Sequence, residues 1–246
     1  LVIGSIEVMG YWAILSGIEG NLAAYEAVLA DIKQRDVAEI YILGDLVGPH
    51  PDCEKLVQRI QNPLSGELQP QVCKGWWEEQ CLILHGVGAT GDASELTQKY
   101  GAETIELLWK SISRQTVEWL RQLDFGFHDS DCLLVHGSTL GVDDELSPET
   151  PAPQMLDRLL RGEAKTLLCG RSGLAFQYQV QSGSMTASVT TLDEYTSPCA
   201  IAAQPCQVVG VGNVGRLPEI AIYTLFEPTT SSVCFETVNY SVGKSD

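Results

Sequence analysis

Short apolar runs alternate along this chain with longer stretches in which apolar residues return every three or four positions. The first run, Trp12-Ala-Ile-Leu15, ends in Ser16-Gly17-Ile18-Glu19-Gly20-Asn21. Leu22, Ala23, Val28, Leu29 and Ile32 then keep near the spacing of one helical stripe. Asn21 stands where an N-cap belongs, since its side chain can accept from an orphan N–H of the first turn. A second run, Ile40-Tyr-Ile-Leu43, stops at Gly44-Asp45. The order is strand, helix, strand, which predicts a right-handed βαβ unit. Both loops after the strands then open on one edge of a parallel sheet, where α/β proteins place their sites.

Further on, the pattern predicts a short helix over Cys53 to Ile60 and an insertion over 62–80. The insertion carries Pro63, Gly66 and Pro70 as breakers and the pair Trp76-Trp77 near its end. Cys81-Leu-Ile-Leu84 reads as a third strand, followed by His85-Gly86-Val87-Gly88. Helical spacing returns over Ala93–Tyr100 and Glu103–Leu123. Cys132-Leu-Leu-Val135 reads as a strand before His136-Gly137-Ser138, and 153–161 as a helix. Thr166-Leu-Leu-Cys169 leads to Gly170-Arg171-Ser172-Gly173, and Phe176–Val180 alternates like a strand. A flap is expected over 183–206. Ala221–Leu225 and Val233–Val238 form an antiparallel hairpin. No repeat or linker divides the chain, so the expectation is an extension over 1–11, with Met9 a possible start, and a single domain over 12–246.

Composition narrows the function classes. The 246 residues suffice for a full core. No apolar run approaches the roughly 20 residues that span a bilayer, and the first ten residues lack the pattern of a signal peptide. The eight cysteines contain no Cys-x-x-Cys pair and sit largely in apolar runs. They read as reduced, buried thiols of a cytoplasmic protein rather than zinc ligands or a disulfide framework. A net charge of −17 argues against nucleic acid and against a basic membrane-surface helix.

At Gly17-Ile18-Glu19-Gly20-Asn21, Gly44-Asp45, His136-Gly137-Ser138 and Gly170-Arg171-Ser172-Gly173 the chain resembles the calcineurin-like metallophosphoesterases, in particular their small bacterial branch. In that family the corresponding motifs run Asp-x-His-Gly-Asn, Gly-Asp, Gly-Asn-His-Asp/Glu, His-Gly-Ser and Gly-His-x-His. The resemblance runs from Trp12 to about Tyr240. It implies an α/β (α+β) four-layer sandwich, two packed mixed β-sheets flanked by helices. It also implies an expected chemistry: two divalent ions and a bridging hydroxide hydrolysing a phosphoester. Val208 to Gly215 resembles, loosely, the family's Asn-Pro-Gly-Ser-Val-Gly turn.

Carried over position by position, the ligand set does not survive. Asp45 and His136 match, whereas Gly17, Glu19, Val87, Arg171 and Gly173 fill the other five ligand positions, and Gly88 that of the family's acid His. Gly and Val donate no side-chain lone pair, and a guanidinium binds no cation. The expectation is therefore a degenerate metal site, a pseudoenzyme acting as a cytoplasmic binding or regulatory protein. Glu19, Asn21, Asp45, His50, His85, His136 and Arg171 mark its vestigial pocket, and Arg171 is expected to neutralise Asp45 and Glu19. Blander roles stand beside this: Asp45 as a turn cap, His136 as a buried neutral imidazole, Asn213 and Ser138 as turn and backbone partners. No cofactor is expected. The alternative is a phosphoesterase with a rebuilt Mn, Fe or Zn site on His85, His136 and Asp45, with Glu19 as a further donor. A third reading is a structural partner, or homo-oligomer, assembling through Trp76-Trp77.

Overall fold

The computed structural model describes residues 10–87, 93–180, 187–191 and 206–241. Strand β1 (Tyr11–Leu15), helix α1 (Leu22–Ile32) and β2 (Val37–Leu43) form the expected unit, with β1 and β2 parallel. Helix α2 (Cys53–Gln61) follows, then β3 (Gln71–Cys73), parallel to β2. Helices α3 (Trp76–Leu84), α4 (Ala93–Lys110) and α5 (Arg114–Gln122) come next. The chain continues through β4 (Gly126–Asp129), β5 (Cys132–Val135), α6 (Ala152–Arg161), β6 (Thr166–Cys169), β7 (Ala175–Val180) and β8 (Ala187–Thr191). It ends in β9 (Cys206–Val211), β10 (Ile220–Glu227) and β11 (Ser232–Asn239), the last two an antiparallel hairpin.

One sheet has the order β11-β10-β1-β2-β3, the other β4-β5-β6-β9-β7-β8, and both are mixed. Alternation along β1 shows how they pack. Ala13 and Leu15 face a core shared with α1, α2, α3 and α5, while Trp12 and Ile14 face the second sheet. Between the sheets Trp12, Tyr41, Phe127 and Phe226 interlock, with ring centroids 5.2–5.8 Å apart. On the far side of the second sheet, Leu167 and Cys169 meet Met155 and Leu159 of α6. The layers are thus helix, sheet, sheet, helix.

Two expectations need correction. Cys81-Leu-Ile-Leu84 is not a strand but the last part of α3. Cys81 and Leu82 bury against the helical layer, as a stripe of that helix does. The third strand of the parallel run is β3, inside the stretch read as an insertion, at the edge beside β2. The long helix expected over Glu103–Leu123 also breaks: α4 ends at Lys110, and α5 starts afresh where Ser113 Oγ accepts from Thr116 N. Strand β4 was not anticipated. The expected flap lies largely outside the described residues. Cys53, Cys73, Cys81, Cys132 and Cys169 are free and buried.

Candidate functional site

Six strands of the two sheets send their following loops to one place. Gly17 N donates to Gly44 O (3.3 Å), Val214 N to Ser16 O (3.0 Å), Gly215 N to Gly17 O (2.8 Å), and Gly170 N to His136 O (2.8 Å). The close approach of the loops after β2 and β3 needs two glycines back to back. A Cβ on Gly44 would lie 2.3 Å from Gly75 Cα.

Glu78, buried in the first turn of α3, ties those two loops together. Its Oε2 accepts from Asp45 N (2.7 Å) and Gly75 N (2.8 Å), and its Oε1 from Leu46 N (2.8 Å) and Val47 N (3.0 Å). Burial and the neighbouring Asp45 charge push its carboxyl above the ordinary range, while these backbone donors pull it back. All four lone-pair sites are taken, so the geometry is that of a carboxylate.

Glu78 also resets the register of the third motif. The segment after β3 is Gly75-Trp76-Trp77-Glu78, which places the family's Gly-Asn-His-Glu here rather than at His85-Gly86-Val87-Gly88. Trp76 and Trp77 take the places of the Asn ligand and the His. The alignment at His85-Gly86-Val87-Gly88 is thereby displaced.

Asp45 is fully buried at the end of β2. Its Oδ1 accepts from Trp77 N (2.8 Å) and lies 3.4 Å from His136 Nε2. His136, also fully buried, has Nδ1 2.7 Å from Leu43 O, so that nitrogen carries the proton and donates. Burial lowers its affinity for a second proton, more than Asp45 raises it. Nε2 is left as a lone pair without a hydrogen bond.

The counter-charge of the pocket is Arg216, not Arg171. Arg216 Nε donates to Glu19 Oε1 (2.6 Å), Nη2 to Asp45 Oδ2 (2.7 Å), and Nη1 to the carbonyl of Arg171 (3.1 Å). It fits because two positions that hold ligands in the family are bare here. A Cβ on Gly173 would lie 2.6 Å from Nη1, and one on Gly17 3.1 Å from Nε. Glu19 also accepts from the Trp77 side chain, and its carboxyl is raised above 4.5, burial outweighing Arg216. Glu19 (φ 51°) and Asp45 (φ 53°) are both held in the left-handed region, a conformation that costs a non-glycine residue about 1 kcal/mol or more.

The remaining expected residues take quieter places. Asn21 caps α1 through Ala24 N (3.1 Å) and donates to Tyr240 Oη (2.8 Å). His50 Nδ1 accepts from Asp52 N, and a Cβ on Gly20 would meet the His50 side chain. Asn213 bridges Gly173 O and Arg216 N, and Ser138 accepts from Leu140 N, both serving loop backbone. Arg171 lies over Trp76, its guanidinium carbon 4.7 Å from the ring centroid. Trp77 is in the core. His85 stacks on Trp109 at the far end of α3 from Asp45, about 12 Å along the axis at 1.5 Å per residue. The combination of His85 with His136 and Asp45 as one metal site is therefore not assembled.

A two-ion centre does not fit this donor set. Both Asp45 oxygens and the Glu19 carboxylate already accept from N–H donors, and His136 Nε2 is the sole orphaned donor among these side chains. Gly17, Trp76, Arg171 and Gly173 supply no lone pair for a cation. Among the described residues no three His, Cys, Asp or Glu are placed to hold a metal ion.

Known proteins agree on the fold. The chain is similar, with a TM-score of 0.67 and 19% identity, to a metallophosphoesterase from Sphaerobacter thermophilus, over 94% of this chain and 89% of that one. It is similar at a TM-score of 0.68 and 23% identity to a hypothetical protein from Pyrococcus horikoshii OT3, over 94% and 88%. An uncharacterized protein of Methanocaldococcus jannaschii is 32% identical over 117 residues, which is 45% of this chain and 41% of that relative's length. A scan against protein-family models finds no match. The fold is that of the metallophosphoesterases. No helix among the described residues is long and apolar enough to cross a membrane.

Proposed function

Starting from that shared fold, we propose that this chain is a metal-independent binding or regulatory protein rather than a two-metal hydrolase. The observation that carries this reading is the Arg216 guanidinium between Glu19 and Asp45, in space that Gly17 and Gly173 leave open. Carboxylates brought together at this loop cluster need positive charge between them. In a binuclear enzyme the ions supply it and activate water as well. A guanidinium supplies the charge without the nucleophile. His136 does not replace that nucleophile's base, because it is fully buried, its Nδ1 proton is committed to Leu43 O, and Nε2 faces Asp45. The five buried free thiols and the acidic balance favour a cytoplasmic setting and a partner other than nucleic acid.

The test is metal content by mass spectrometry of the purified protein, followed by hydrolysis of an aryl phosphate with added Mn. The expected result is substoichiometric metal and no turnover above buffer. Near-stoichiometric metal, or turnover lost in His136→Ala, overturns the reading.

A further inference from the structure

We infer that the mouth of this loop cluster binds a small oxyanion, a carboxylate or phosphoryl group, through Arg171 flanked by Trp76 and Lys99. The inference rests on the metal-independent binding role and names its ligand class. In a chain of net charge −17, neither Arg171 nor Lys99 belongs to an ion pair among the described residues. Both nevertheless approach the Trp76 ring. The Arg171 guanidinium carbon is 4.7 Å from the Trp76 ring centroid, and Lys99 Nζ is 5.5 Å from the same ring and 5.2 Å from that of Tyr100. Arg171 Nε is buried without an acceptor. The carboxylates able to satisfy it, Glu19 and Asp45, are taken by Arg216, which also brings a second guanidinium against the Arg171 carbonyl.

A guanidinium N–H buried without an acceptor is costly, and buried polar groups of this kind are nearly always satisfied by something. An oxyanion on the guanidinium edge that carries Nε supplies the missing acceptor. The planar fork matches the two oxygens of a carboxylate or phosphoryl group, and the indole holds the fork in place. Lys99 adds a point charge beside the same indole. The chain's overall negative charge repels long polyanions, so the ligand is a small molecule.

The experiment uses the full chain, stripped of metal by a chelator that is then removed. Inorganic phosphate and citrate are titrated separately by calorimetry, with chloride at matched ionic strength as the control. Saturable binding of either is expected, weakened about tenfold or more in Arg171→Gln, the scale of one lost charge-assisted pair. A smaller loss is expected in Lys99→Gln, an exposed position whose variant folds regardless. No saturable binding of either anion, or equal binding by wild type and both variants, overturns this inference and leaves the metal-independent reading in place. Binding that appears only with added Mn and vanishes in His136→Ala overturns that reading, and this inference with it.

Discussion

Replacing Arg216 with alanine is expected to destabilise the fold by about 3–5 kcal/mol near neutral pH, the scale for a buried ion pair that loses one partner. Two carboxylates depend on it, Glu19 at 2.6 Å and the fully buried Asp45 at 2.7 Å. The loss depends on pH with a definite sign. Glu19 is raised above 4.5 by burial even with Arg216 pulling it down, so removing Arg216 raises it further. Between 4.5 and its folded value the folded state then binds more protons than the unfolded chain, and stability increases as pH falls. Urea denaturation of Arg216→Ala at pH 8 and pH 5 should therefore show the larger deficit at pH 8. A double-mutant cycle with Glu19→Gln should give coupling well above the roughly 0.5 kcal/mol expected of independent sites. Equal deficits at both pH values together with no coupling would place the guanidinium elsewhere. Arg171→Ala, which removes one guanidinium–indole contact, should cost only about 1 kcal/mol.

Glu78→Gln should be nearly as damaging, at about 2–6 kcal/mol. An amide nitrogen cannot accept, so two of the four backbone N–H groups lose their partner, at about 1–3 kcal/mol each. The injury is local before it is global. Amide hydrogen exchange at Asp45, Leu46, Val47 and Gly75 should accelerate together, because one carboxylate holds both loops. A Glu78→Gln protein as stable and as protected as wild type would mean that the side chain is carried as a neutral acid and the loops close without it.

Local pattern made much of this molecule legible, and its failures have physical causes. Cys132–Val135 and Thr166–Cys169 are four-residue apolar strands bounded by polar or glycine turns, and each forms at the expected residues. Cys81-Leu-Ile-Leu84 offers the same four apolar residues. It is helical because Trp77, Glu78, Cys81 and Leu82 form one buried stripe that begins at Gly75, a period that four residues cannot display. That single misreading displaced the third motif and hid Glu78. Strand β4 is short and only partly buried, so Gly126-Phe-His-Asp carries little signal. Within the site, Glu19, Asp45 and His136 were found because they follow strands that local pattern places. Arg216 was missed because its partners lie 197 and 171 residues away and its turn was followed only as far as Gly215. A signal was present: Gly17 and Gly173 carry no side chain at two positions beside Glu19 and Asp45, leaving space that the guanidinium occupies.

The contact of Arg216 with those two glycines ties three positions of the pocket to one another. A side chain at 173 or 17 competes with the guanidinium for the same space, at 2.6 and 3.1 Å from the bare Cα positions' missing Cβ atoms. A side chain introduced at 173 or 17 therefore shifts the guanidinium, and a shifted guanidinium loosens its hold on Glu19 and Asp45. Changes at 17, 173 and 216 are therefore expected to be non-additive, each altering what the other two cost.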